Sequence, residues 1–212
     1  MSAIPTLNSA PEYSVNPNNK KNVQKDKFSD ISDSFAKDDI NKLVSSWIIK
    51  WYEDKTFRPN NTATRWEFLA ITMKALGINM NTGAVETDYD DITSDWKWII
   101  PYLEKAKEFW INGQQSNWKH IFRQNDPITR AEALAVLLSI AKIKTSDAGA
   151  SIEFTDVSVD WMVPYIAKAK QLAIVSGQTI DWKLKFRPND SITRAETVRI
   201  IIKAQVVVDK DL

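Results

Sequence analysis

The chain contains no cysteine, a single histidine and only five glycines among its 212 residues. Lacking cysteine, it can form no disulfide, no thiolate metal site and no thiol nucleophile. Neither sign of charge dominates, with 28 Lys and Arg against 27 Asp and Glu. That balance excludes the strong basic excess that marks most nucleic-acid binders. The longest apolar stretch, residues 131–141, is interrupted by Glu132 and Ser139. It falls well short of the ~20 residues that cross a bilayer, so no membrane span is expected. Residues 1–27 have neither the basic start nor the apolar core of a secretory leader. Their Asn, Ser, Pro and Lys content reads as a flexible linker, and any export signal is expected outside this chain.

What the chain does have is 43% hydrophobic residues and an internal repeat. Phe57-Arg58-Pro59-Asn60 returns as Phe122-Arg123-Gln124-Asn125 and Phe186-Arg187-Pro188-Asn189. Thr64-Arg65-Trp66-Glu67 returns as Thr129-Arg130-Ala131-Glu132 and Thr193-Arg194-Ala195-Glu196. Phe28-Ser29-Asp30, Tyr89-Asp90-Asp91 and Phe154-Thr155-Asp156 open the three units, which span residues 28–79, 89–143 and 154–206. Each reads as helix, loop, helix, with residues 50–60 and their equivalents as a tight turn or short hairpin ending in the Phe-Arg-x-Asn loop. Ile40, Leu43, Val44 and Trp47 fall on one helical face, as do Ile99, Leu103, Ala106 and Trp110. Pro101 and Pro164 suit a first helical turn, where a missing N–H costs little. One helical pair cannot bury an apolar face alone. The expected fold class is therefore mainly α: three helix-loop-helix repeats packed as a pseudo-threefold helical domain. Leu69, Met73, Leu134, Leu138, Val198 and Ile202 are expected around a common core, and grooves are expected where one repeat meets the next.

Thr-x-x-Glu ahead of an apolar run is a capping box. The Arg inside it is harder to explain, because a cation at the first helical position opposes the helix dipole. Seven of the 28 basic residues are Arg, and six of those occupy the repeat motifs: Arg58, Arg65, Arg123, Arg130, Arg187 and Arg194. A planar guanidinium beside free helix-start amides suits a carboxylate or phosphate. The competing reading is an ion pair between repeats, for instance to Asp30, Asp91 or Asp156. No catalytic constellation emerges. Among 27 acidic residues some close pair is inevitable. The sole histidine, His120, aligns with Leu184, and Asp88, Asp90 and Asp91 lack the spacing of a calcium loop. No enzyme activity, cofactor or metal is expected.

These motifs in combination resemble the S-layer homology domain, most fully at Ile128-Thr129-Arg130-Ala131-Glu132 and Ile192-Thr193-Arg194-Ala195-Glu196. The resemblance covers residues 28–206. It implies a bacterial surface module whose grooves bind an anionic, often pyruvylated, secondary cell-wall polymer on the outer face of the cell envelope. It implies further that Arg65, Arg130 and Arg194 meet the sugar carboxylate, with Glu67, Glu132 and Glu196 as groove-shaping caps. Ala63 and Trp66 depart from the pattern in the first repeat. The alternative is a protein-interaction or S-layer assembly module whose grooves take acidic side chains. Either way, a parent surface protein is expected to extend beyond this chain.

Nine tryptophans against five glycines is an odd ratio. Trp47 and Trp110 occupy equivalent positions, and Trp51 aligns with Gly113 and Gly177. Trp118 and Trp182 follow Asn117 and Asp181, where Asn-Gly and Asp-Gly turns place glycine. Trp66 stands where Ala131 and Ala195 stand. These positions read as glycine or small-residue sites, as though a UGA codon for glycine had been translated as tryptophan. Trp96 and Trp161 align with Phe35 and read as true core aromatics. Trp118 and Trp182 are expected to project into solvent.

Overall fold

The computed structural model describes residues 28–49, 52, 54–80, 83–148 and 153–210. The linker reading of residues 1–27 lies outside them, as does Trp51. The first unit contains helices α1 (Lys37–Ser45) and α2 (Arg65–Ala75). In the second, a 3-10 helix (Ser94–Ile99) runs into α3 (Ile100–Lys107), followed by strands β1 (Gln114–Ser116) and β2 (Lys119–Ile121) and helix α4 (Arg130–Ile140). The third contains α5 (Val163–Gln171), β3 (Gln178–Ile180), β4 (Lys183–Lys185) and α6 (Arg194–Val208).

Local chemistry sets the helix starts. Thr64, Thr129 and Thr193 cap α2, α4 and α6, and each forms a complete capping box with the Glu three residues on. Pro lies in the first turn of both α3 and α5. The helices then interlock between units. The first helix of each unit packs on the second helix of the unit before it: α3 on α2, and α5 on α4. Helix α1 packs on α6, which closes the circle, while α2, α4 and α6 also contact one another. On α1, Ile40, Leu43 and Val44 are buried, each worth roughly 1.5–3 kcal/mol of apolar transfer.

The centre is joined by backbone hydrogen bonds in a second closed circuit. The Ala63 N–H donates to the Ile192 carbonyl at 2.9 Å, Ile192 to Ile128 at 3.1 Å, and Ile128 to Ala63 at 3.1 Å. Isolated β-bridges join Thr62 to Thr193, Thr64 to Pro127 and Thr129 to Ser191.

The mainly α expectation is corrected by these features. Among the described residues six α-helices stand beside two antiparallel hairpins and the central bridges, so the chain does not fall plainly in the mainly α class. The strands are three residues each and largely polar, and they flank the Asn117-Trp118 and Asp181-Trp182 turns. The core also differs from expectation. The six expected core residues are all buried, but Leu69 and Met73 belong to a second cluster with Tyr89, Trp96, Leu103 and Phe122. Trp47 and Trp110 leave the helical stripe: both follow the last helical turn and are exposed. Trp96 is buried, whereas Trp161 and Phe35, read as its core equivalents, are largely exposed.

Candidate functional site

Each signature Arg is the first residue of its helix, and its guanidinium reaches across to the next unit. Arg65 Nε donates to the Phe122 carbonyl at 2.9 Å and Nη1 to Glu132 Oε1 at 3.0 Å. Arg130 makes the same pair to Phe186 and Glu196, at 3.0 and 2.6 Å. Arg194 makes it to Phe57 and Glu67, at 2.8 and 2.6 Å. The third contact joins the last unit back to the first. Each guanidinium also lies over the ring of the Phe whose carbonyl it binds, at 5.4, 4.9 and 4.7 Å to the ring centroid.

Each signature Glu therefore has two tasks. Oε2 of Glu67, Glu132 and Glu196 accepts from its own Thr N–H at 3.0, 3.0 and 2.9 Å, and Oε1 accepts from the neighbouring unit's Arg. The six residues expected at the site come together as three inter-unit Arg–Glu pairs. The ion-pair alternative singled out the wrong acid. Asp30, Asp91 and Asp156 instead accept the backbone N–H groups of Phe57 and Arg58, Phe122 and Arg123, and Phe186 and Arg187. Arg58, Arg123 and Arg187 form peripheral pairs with Asp54, Asp126 and Asp190.

The three pairs are not equally accessible. The Arg194 side chain is 7% exposed, and Tyr52 lies over its guanidinium at 5.0 Å while donating to Glu67 Oε1 at 3.3 Å. Burial raises the Tyr52 pKa above its ordinary value. Burial likewise pulls the Arg65 pKa below the usual guanidinium range, with Glu132 opposing the shift. Arg130 borders a groove of about 310 Å³. Arg130, Lys185, Arg187, Arg199 and Lys203 contribute five cations to its lining, against the one carboxylate of Glu196. Nε and Nη1 of Arg130 are committed, and Nη2 has no hydrogen-bond partner among the described residues.

Sequence reasoning missed several contributors to this groove. Phe35, read as core, presents a ring that is 61% exposed at the groove edge. Arg199, the one Arg outside the repeat motifs, pairs with Asp39 at 2.5 Å and donates to the Phe35 carbonyl. Lys203 donates to the Ala173 carbonyl at 3.0 Å. Arg199 and Lys203 lie five and nine residues beyond Arg194, on the face of α6 that α1 covers in part. A periodicity reading of α6 alone does not reveal that face as a groove wall. Among the described residues no cluster of His, Asp or Glu is placed to hold a metal ion, and no helix is long and apolar enough to cross a membrane.

Residues 27–69 and 153–198 match the S-layer homology domain family. The middle unit lies outside the matched segments. The chain is 34% identical over 180 residues to an amylopullulanase of Thermoanaerobacterium thermosulfurigenes, covering 82% of this chain and 9% of that protein. It is 28% identical over 160 residues to a cellulosome-anchoring protein of Acetivibrio thermocellus, covering 72% of this chain and 34% of that protein. A surface-layer 125 kDa protein of Lysinibacillus sphaericus is 26% identical over 176 residues, covering 82% of this chain and 14% of that protein. The chain thus spans only a minor part of these relatives.

Proposed function

We propose that this chain, which carries S-layer homology segments at residues 27–69 and 153–198, anchors a larger surface protein to an anionic cell-wall polysaccharide on the outer face of the cell envelope. The observation that carries the reading is the groove beside Arg130, where five cations face one carboxylate in about 310 Å³. A sugar carboxylate, such as that of a pyruvylated residue, would meet Arg130 Nη2, Lys185 and Arg187. The exposed Phe35 ring offers an apolar face to the sugar. All three units, residues 28–79, 89–143 and 154–206, act as repeats of one module in this reading. Ala70 and Ala135 stand at the position of Arg199, so α6 brings to its groove a cation that α2 and α4 lack at that position. Anchoring rather than catalysis is supported by the cellulosome-anchoring and surface-layer relatives.

Co-sedimentation with purified cell wall tests the proposal. Binding is expected to intact wall, to weaken with salt, and to disappear once the acidic polymer is stripped. Lys185→Gln combined with Arg187→Gln is expected to weaken binding roughly tenfold, about 1.4 kcal/mol, with the unfolding midpoint unchanged. Equal sedimentation with stripped and intact wall would overturn it.

A further inference from the structure

Four exposed tryptophans have a backbone that tryptophan strongly disfavours. Trp47, Trp110, Trp118 and Trp182 have φ of 59, 62, 63 and 62°. In that left-handed region the Cβ crowds the following carbonyl, so only glycine enters without strain, and Asn or Asp with little.

Two recurrent motifs impose this backbone. The first ends helices α1, α3 and α5. After α1 the Trp47 N–H donates to the Val44 carbonyl at 3.0 Å and Ile48 to Leu43 at 2.9 Å. After α3 the equivalents are Trp110 to Lys107 at 3.0 Å and Ile111 to Ala106 at 3.1 Å. After α5 they are Ala173 to Lys170 and Ile174 to Ala169, at 3.0 and 2.9 Å. This is the Schellman termination, whose left-handed residue is usually glycine, although Ala173 after α5 and Lys142 after α4 hold it here at φ of 56 and 55°. Helix α2 ends in the same pattern, with Gly77 at that residue and φ of 65°. The second motif is the two-residue hairpin loop. Asn117 and Asp181 have φ of 49° ahead of Trp118 and Trp182, so both loop residues are left-handed. Such loops favour Asn-Gly and Asp-Gly. This chain has the expected first residue and tryptophan as the second.

A separate constraint falls on the repeat position of Gly113 and Gly177, with which Trp51 aligns in sequence. A Cβ on Gly113 would lie 2.3 Å from the Ile121 carbonyl oxygen and 2.4 Å from a Tyr89 ring carbon. On Gly177 it would lie 2.2 Å from a Phe154 ring carbon and 2.9 Å from the Lys185 oxygen. That site in the repeat has no room for a methyl group.

The exposed rings are not a docking surface either. Trp47 and Trp110 are equivalent positions of different units, as are Trp118 and Trp182, so the repeat sends them around the ring rather than into one patch. Trp118 and Trp182 are 104 and 98% exposed. Trp66, Trp96 and Trp98 behave as true tryptophans, absent from the left-handed residues and packed on one another at 5.1–6.2 Å between ring centroids.

We infer that Trp47, Trp51, Trp110, Trp118 and Trp182 are glycine in the protein as its own ribosomes make it, each encoded by UGA. UGA is reassigned to tryptophan in some genetic codes and to glycine in others. Translating a glycine-reading gene by a tryptophan-reading table prints this pattern. The gene is expected to carry UGA at these five codons and UGG at Trp96. Peptides of the natural protein covering residues 118 and 182 are expected at glycine masses. UGG codons or tryptophan masses at both positions overturn the inference. In the chain made recombinantly with tryptophan, Trp118→Gly and Trp182→Gly are each expected to raise the thermal midpoint by roughly 2–6 °C. An unchanged or lowered midpoint for both overturns the backbone argument on which the inference stands.

Discussion

At the scale of single residues, the Arg–Glu pairs tie ligand recognition to stability. Lys would keep the charge at residue 130 or 194 but cannot donate to a carbonyl and a carboxylate in one plane as Arg does. Arg194→Lys is therefore expected to cost roughly 1–3 kcal/mol in urea unfolding, because its site is the most buried of the three. Arg130→Lys is expected to lower wall affinity and stability together. Arg187→Gln, whose contact with Asp190 is long and exposed, should leave stability unchanged within about 0.5 kcal/mol. Tyr89 supplies a pH signature. Burial pushes its pKa up to about 12, and its hydroxyl accepts the Gly113 N–H at 3.0 Å. A raised pKa contributes stability below the unfolded value of about 10, and that contribution is lost as pH rises toward 12. Stability is expected to fall between pH 10 and 12, and Tyr89→Phe to flatten that fall in pH-dependent urea titrations.

At the scale of elements, the central circuit explains why the segment before each capping box is extended rather than part of the helix. Ala63, Ile128 and Ile192 are each buried and each both donate and accept one backbone bond there. Ile128→Ala would leave a cavity beside Ala63 and is expected to cost roughly 2–5 kcal/mol, measured by denaturant unfolding. A loss under 1 kcal/mol would mean the ring collapses around the smaller side chain. Ile128→Pro would also remove the N–H that donates to Ala63 and should prevent folding.

At the scale of the whole molecule, helix exchange between units makes the three inseparable. Each unit's first helix covers its neighbour's second, and α1 covers α6. Deleting residues 28–45 would uncover α6, remove the Asp39 partner of Arg199 and strip Phe35 from the groove. Loss of cooperative unfolding and of wall binding together is the expected result. In the intact chain, far-UV circular dichroism and tryptophan fluorescence should report one coincident transition. Two separated transitions would show that a unit is stable alone.

What is local is legible along the chain: the repeat period, the starts of α2, α4 and α6, the Pro-led starts of α3 and α5, and the turns whose backbone favours glycine. Capping and turn chemistry acts over three or four residues, so a single stretch reveals it. Which acid meets which Arg is set only in three dimensions, since each signature Arg pairs with the Glu of another unit and the Asp that opens each unit is an equally available partner by motif. The same holds for the groove. Phe35 reads as core because its equivalent Trp96 is core, yet it faces solvent beside Arg199. The central bridges likewise exist only between units, whereas each hairpin of three-residue strands closes locally around its Asn117-Trp118 or Asp181-Trp182 turn. The bridges join Thr62 to Thr193, Thr64 to Pro127 and Thr129 to Ser191, segments too far apart in the chain for any local stretch to announce them.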